Sequence, residues 1–205
     1  MPGGGRPFRG LPGQRIRKGL QVVAVLATLC GCGSGAVLDS FDLSAATAVR
    51  VSRAPRGQLV VSEPVATSPT DSDRIVVRPT PDTVATLKGA QWIERLPRLL
   101  QTRLVQTFEN ARMLRSVGRP DTKIQADTSL SSEIRRFEID VTSGEAVVEI
   151  SIKLVSERNG RIIAARIFIA RTAGSASDGG NATAALDSAL GQVLRQIVAW
   201  SAASV

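Results

Sequence analysis

The chain contains no histidine and no tyrosine, only two cysteines, and no apolar run approaching the roughly 20 residues that a membrane-spanning helix needs. Each absence excludes something. Without histidine there is no Ser-His-Asp relay and no imidazole to hold a metal. A glycine-rich phosphate loop and a G-x-S-x-G elbow are missing as well, which removes the usual equipment for nucleotide and ester hydrolysis. With five Phe and two Trp as its whole aromatic stock, the chain lacks the stacking platforms that single-stranded nucleic acid uses.

The two cysteines stand together in "LCGC", residues 29 to 32. A C-x-C spacing is too tight for an ordinary disulfide loop, and a metal site would need further Cys or His ligands that are not there. What surrounds them is more telling. Arg6, Arg9, Arg15, Arg17 and Lys18 precede the run "GLQVVAVLATL" (19–29) with no acid among them, the layout of a secretory leader. "LCGC" then matches a lipobox, with apolar Leu29 three positions before the acceptor thiol of Cys32 and small Gly31 immediately before it. Acylation at Cys30 would instead place bulky Leu29 at the cleavage position. The expectation is a signal peptide over 1–31, cleavage between Gly31 and Cys32, and a lipid on Cys32. Two or more acyl chains hold a protein stably on a bilayer, so the chain should sit on a membrane without crossing it, unless it is an ordinary secreted protein with a coincidental cysteine at the cleavage point.

Removing the leader changes the electrostatics. The full chain has 26 basic and 18 acidic residues, a charge of +8, but five of the bases precede Cys32, leaving 21 against 18. That balance carries no concentrated basic stripe, and nucleic acid is not expected as a partner. A small polar tether is expected over 32–40, then one domain over 41–205. The absence of a further cysteine means that packing alone must stabilise it.

Four short apolar runs open that domain: "FDLS" (41–44), "QLVVSEP" (58–64), "RIVVR" (74–78) and "TVATLKG" (83–89), each bounded by turn-forming residues as short strands are. "PTPD" at 79–82 predicts a hairpin. From Trp92 the period changes: Ile93, Leu96, Leu99, Leu100, Leu104 and Phe108 recur at threes and fours, predicting a helix from about Pro97 to Asn110, where asparagine tolerates a left-handed end. "RMLRSV" (112–117) could be a short strand. "SLSSEIRRFEIDV" (129–141) reads as a strand whose alternation slips at the double arginine, as a bulge would make it. "AVVEISIKLV" and "IIAARIFIAR" flank Asn159-Gly160, which predicts a two-residue type I′ hairpin. The last segment predicts an amphipathic helix with Leu186, Leu190, Val193, Leu194 and Ile197 in its stripe and Asn181 or Thr183 as cap. The expected fold class is α+β, a mostly antiparallel sheet with two amphipathic helices packed on one face.

Carboxylates are the remaining chemistry. Asp71 and Asp73 lie in a Pro/Ser/Thr cluster that makes turns, while Glu133, Glu138 and Asp140 sit at strand spacing that usually marks a solvated face. No catalytic residue, metal ligand or cofactor is expected from them.

Taken together, the lipobox, "DSDRIVVR", "AQWIERLPRLLQTRLVQTFENA", "SSEIRRFEID", the hairpin "AVVEISIKLVSERNGRIIAARIF" and the closing "ALDSALGQVLRQIVAW" resemble the ABC-type transport auxiliary lipoproteins, the PqiC-like group. The likeness covers nearly the whole chain after the leader, though "ATLKGA" stands where that group often carries tyrosines. The resemblance implies a non-catalytic, lipid-anchored accessory of an MCE-type ABC transport system, facing the periplasm and docking the MCE-domain subunit, with lipid or another hydrophobic molecule as cargo. Gly33 after the cysteine, rather than aspartate, implies the outer membrane. A homo-oligomer is a further possible partner state, and a structural envelope lipoprotein without a transport role is the rival reading. For the docking surface the residues singled out are Trp92, Trp200, Arg135 and Arg136. Tryptophan serves both as interface hot spot and as core filler, and arginines on a strand also line solvated faces.

Overall fold

The computed structural model describes residues 1, 3–5, 38–47 and 55–203. The chain divides into two units, Met1–Ala36 and Val37–Val205, and the second holds every helix and strand named below. The proposed leader, Gly31, Cys32 and most of the tether lie outside the described residues. The first described strand begins at Asp39, just ahead of the expected domain start at Phe41.

In chain order the elements are β1 (Asp39–Phe41), β2 (Gln58–Val61), β3 (Val65–Ala66), β4 (Arg74–Thr80), β5 (Thr83–Trp92), α1 (Leu96–Ala111), β6 (Ser116–Gly118), β7 (Thr128–Asp140), β8 (Glu145–Ser156), β9 (Ile162–Ala173) and α2 (Gly179–Ser201). The class is α+β, with all nine strands in one sheet. The sheet is mixed. Its long partnerships, β4–β5, β7–β8 and β8–β9, are antiparallel, whereas β1–β5, β2–β6, β2–β7, β3–β7 and β4–β7 are parallel.

The three parallel joins to β7 have one cause. β8 runs along the whole of β7 on one side, while β2, β3 and β4 line up head to tail along the other, at 128–130, 133–134 and 138–140. Residues 58–80 are in effect one long partner of β7, interrupted at Pro64 and around Pro69. Proline has no amide hydrogen and cannot carry a ladder through its position. The sequence pattern marks these pieces as strands but says nothing of their common neighbour.

β7 is bulged at Arg135: Ile134 faces Ile150 and Arg136 faces Glu149, so one residue is extra. This is the slip that the double arginine suggested. Before it Leu130 and Ile134 point into the core, and after it Phe137 and Ile139 do. The shift moves Arg136, Glu138 and Asp140 together onto the opposite face.

α1 begins one residue before Pro97, whose missing amide costs nothing in a first turn. Its left-handed end is taken by Arg112 (φ 51°), not Asn110, with the Arg112 amide donating to the Glu109 carbonyl. Gln101, buried on α1, donates Nε2 to the Val61 carbonyl (2.9 Å) and so fixes the helix to β2. α2 is capped by Asp178 rather than Asn181 or Thr183, because the Asp178 carboxylate accepts from the Asn181 amide (2.8 Å) three residues on. Asn181 supplies the donor. At the start of α2 a Cβ on Gly179 would lie 2.8 Å from the Ala90 Cβ and 2.9 Å from the Phe41 ring, so only glycine lets the helix approach β1 and β5.

The β8–β9 turn departs from the expected type. Its loop is four residues, Glu157–Gly160, closed by the Gly160 amide on the Ser156 carbonyl (2.8 Å) and the Ser156 amide on the Arg161 carbonyl (2.9 Å). Gly160 alone has positive φ (68°) there. Asn159 instead turns its side-chain oxygen to the Arg161 amide (3.1 Å), an Asx contact that serves the longer loop. The "PTPD" hairpin forms as expected, with Thr80 opposite Thr83.

One core joins the buried stripe of α1 (Leu96, Leu99, Leu100, Leu104, Phe108), that of α2 (Leu186, Leu190, Val193, Leu194, Ile197) and the alternate residues Ala146, Val148, Ile150, Ile152 and Leu154 of β8. Each of these larger side chains contributes about 1.5–3 kcal/mol on burial. Among the described residues no helix is long and apolar enough to cross a membrane.

Candidate functional site

The bulge in β7 organises the face of the sheet that is turned away from this core. Arg136, Glu138 and Asp140 lie two residues apart along β7, and the parallel register of β4 brings Arg78 opposite Asp140. Arg78 grips Glu138 as a fork, Nε to Oε1 at 2.9 Å and Nη2 to Oε2 at 3.0 Å, and its Nη1 donates to the Pro81 carbonyl (3.0 Å). Arg136 adds Nε to the same Glu138 Oε1 (2.7 Å) and reaches Asp140 Oδ2 with Nη2 (3.2 Å). The Glu138 side chain retains only 4% of its exposure under the two guanidinium groups. Val76 and Val147, its neighbours in the ladders on either side, are buried too.

The hydrogen bond from Glu138 pushes the Arg78 guanidinium above its ordinary range. Asp140 is held below the usual carboxylate range by the Ser143 amide first, then by Arg136 and the Thr142 amide. Its Oδ1 accepts from both backbone amides (3.1 and 3.2 Å), which shapes the turn into β8. A groove of about 560 Å³ runs beside this network, lined by Arg78, Pro81, Arg136, Asp140, Thr142 and Ser143. Arg135 to Glu149 (3.3 Å) and Arg171 to Glu145 (3.4 Å) continue the charged lattice across β8 to β9.

The acids of this surface are taken up in ion pairs. Both oxygens of Glu138 are engaged by arginines, and the acids of the Pro/Ser/Thr cluster are engaged as well. Asp71 pairs with Arg95, which also meets Glu63 (3.1 Å), and Asp73 lies 3.7 Å from Arg74. Charge-assisted, forked bonds fix the guanidinium planes and offer a partner a preorganised set of donors. Among the described residues no group of His, Cys, Asp and Glu is arranged to hold a metal.

The four residues singled out for docking are not brought together. Trp92 is 1% exposed and packs edge to face on Phe137 (centroids 5.9 Å apart), so it is core: a side chain without surface cannot touch a partner. Trp200, at the end of α2, is half-buried against Phe168 on the helix side (5.5 Å). Only Arg135, exposed, and Arg136, partly buried, lie on the outer face. Trp92 packs on Phe137, the chain neighbour of Arg136. Arg78 escaped the sequence reading although an arginine closing the apolar run "RIVVR" was the available signal; its partner Glu138 is sixty residues away.

The chain has relatives among known proteins and solved structures. The chain is 27% identical over 186 residues to an uncharacterized protein of Bradyrhizobium diazoefficiens, covering 90% of this chain, and spans half the length of that curated relative. A crystal structure of a Xanthomonas campestris protein superposes with a TM-score of 0.72 at 28% identity, over 81% of this chain and 96% of that one. A second crystal structure, of an uncharacterized protein, shares the fold at 15% identity (TM-score 0.61, 82% and 97% covered). The family described as ABC-type transport auxiliary lipoprotein component matches residues 41–198, which is most of the domain and includes every element from α1 to β9. The chain therefore belongs to the ABC-type transport auxiliary lipoprotein components.

Proposed function

We propose that the chain is a non-catalytic, lipid-anchored adaptor of an MCE-type ABC transport system that moves lipid or another hydrophobic molecule between envelope membranes. The leader 1–31 is removed, Cys32 carries the acyl chains, residues 32–40 tether, and the domain over 41–205 docks the periplasmic MCE subunit from the outer membrane. The observation that carries this reading is the family match across 41–198. It is supported by a lipobox whose thiol stands directly after small Gly31, and by an outer sheet face whose acids are bound to arginines instead of poised for chemistry. Arg135 and Arg136, with Arg78, are the docking residues of this reading.

The test is affinity isolation of the membrane-extracted protein followed by detection of the cognate MCE subunit. Co-isolation that drops about tenfold in Arg136→Glu, with the far-ultraviolet circular dichroism unchanged, supports the reading. Equal recovery of the subunit with a tagged, unrelated lipoprotein would falsify it.

A further inference from the structure

β9 is an edge strand of unusual composition. Among the described residues it pairs with β8 alone, so half of its backbone amides and carbonyls face outward along twelve residues. Edge strands are ordinarily short, charged toward the sheet, broken by proline or covered. "IIAARIFIARTA" has no proline, no glycine and no acid. Both of its faces are apolar: Phe168 and Ala170 enter the core, while Ile162, Ile163, Ile167 and Ile169 stand 43–58% exposed. Strands with two apolar faces ordinarily have both of them covered. This one is placed where a further strand would make it interior.

The chemistry of the missing neighbour can be read from the charges. Arg161, Arg166 and Arg171 punctuate the strand at every fifth residue. Arg166 lies over the Phe168 ring (5.3 Å) and Arg171 meets Glu145, whereas Arg161 makes no ion pair among the described residues. A second copy of β9 laid antiparallel would bring three more arginines and no acid to the seam, where like charges destabilise. A bilayer suits exposed isoleucines beside cations, but it leaves the outward row of amides without partners in hydrocarbon, at several kcal/mol each. An extended peptide satisfies the amides, covers the isoleucines and, if acidic, matches the arginines.

We infer that β9 is a strand-addition site for an extended, acidic segment of a partner protein whose apolar side chains alternate with glutamate or aspartate. This deepens the proposed function, since it rests on the adaptor reading for its biological partner, yet it concerns the sheet edge and not the Arg136 face. The incoming strand adds a tenth strand beside β9 and lays its apolar residues over Ile167 and Ile169.

The test uses the full chain in detergent and a fluorescein-labelled peptide of alternating glutamate and valine, about ten residues long to span β9. Fluorescence anisotropy should give a dissociation constant on the order of 10 μM, with the lysine–valine peptide about tenfold weaker. Hydrogen exchange should slow at alternate β9 amides when the acidic peptide is present. Ile167→Ser with Ile169→Ser, which removes the exposed apolar contact without adding charge, should weaken binding about tenfold with the far-ultraviolet circular dichroism unchanged. Equal affinity for both peptides, or binding without added protection in β9, overturns the inference. So does self-association in sedimentation that the double variant abolishes, or preferential binding to phosphatidylglycerol vesicles with no peptide binding. If the peptide fails while the MCE subunit is still recovered, the strand-addition site falls and the adaptor reading stands; if the peptide binds and the subunit is never recovered, the reverse holds.

Discussion

Glu138 and Trp92 show how two residues on opposite sides of one strand divide the work of the domain. Glu138 is buried with its charge held by Arg78 and Arg136, and removing one member of such a set strands the others. Glu138→Ala should therefore lower stability by about 2–3 kcal/mol in urea unfolding, while replacing Arg78, Glu138 and Arg136 together with Met, Leu and Met should come close to neutral. The triple variant separates the docking role from the structural one, because it should fold and yet lacks the Arg78 and Arg136 donors. Trp92, beneath the same bulge, is a packing residue; Trp92→Ala should cost about 3–5 kcal/mol by chemical denaturation, more than Trp200→Ala at its half-exposed position. The reason the sequence left these two tryptophans alike is plain: both sit at the end of an apolar stripe, and only the three-dimensional neighbour, Phe137 in one case and Phe168 in the other, tells burial from partial exposure.

At the scale of elements, what depends on local pattern was readable and what depends on distant neighbours was not. The stripe of α1, the β7 bulge and the two hairpins follow from periodicities within a few residues. The cap of α2 was missed because "SASDGGNAT" offers several short polar side chains, and the choice falls on the one whose backbone is extended, Asp178 (φ −152°). The type of the β8–β9 turn was missed because Asn-Gly serves a four-residue loop as readily as a two-residue one. Asp178 also makes the helix start sensitive to acid. The Asn181 amide, followed by the Asn181 side chain, holds its carboxyl below the usual range, as the Ser143 amide does for Asp140. A carboxyl whose folded value is depressed contributes stability that is present above the unfolded value, about 3.9, and lost as pH falls through the folded one. The urea midpoint should accordingly be flat from pH 7 to about 5 and fall below about pH 4. Asp178→Asn, which keeps a capping oxygen, should leave the neutral midpoint nearly unchanged and make the acid fall shallower; an acid limb identical to wild type would contradict the assignment.

For the whole molecule, the α+β class was legible and the mixed sheet was not, since alternation marks a strand without naming its partner or direction. The anchor is tested at this scale as well. Cys32→Ser should move the protein from the membrane pellet to the soluble envelope fraction and abolish labelling by a palmitate analogue, with the melting temperature of the domain unchanged. The interrupted partnership of 58–80 with β7 bears on how the chain reaches its native state. Strand β3 finds its ladder only in β7, and β2 and β4, paired on one side with β6 and β5, find their second ladder only in residues 128–140, so a fragment ending at Asp127 should melt without cooperativity in calorimetry, and a sharp transition there would contradict that dependence. Long-range pairing of that kind slows folding. A polypeptide emerging amino end first thus carries its valine-rich segments at most half paired until β7 arrives, which makes it a natural client for holdase chaperones and exposes the nascent form to proteases longer than a chain built of successive hairpins.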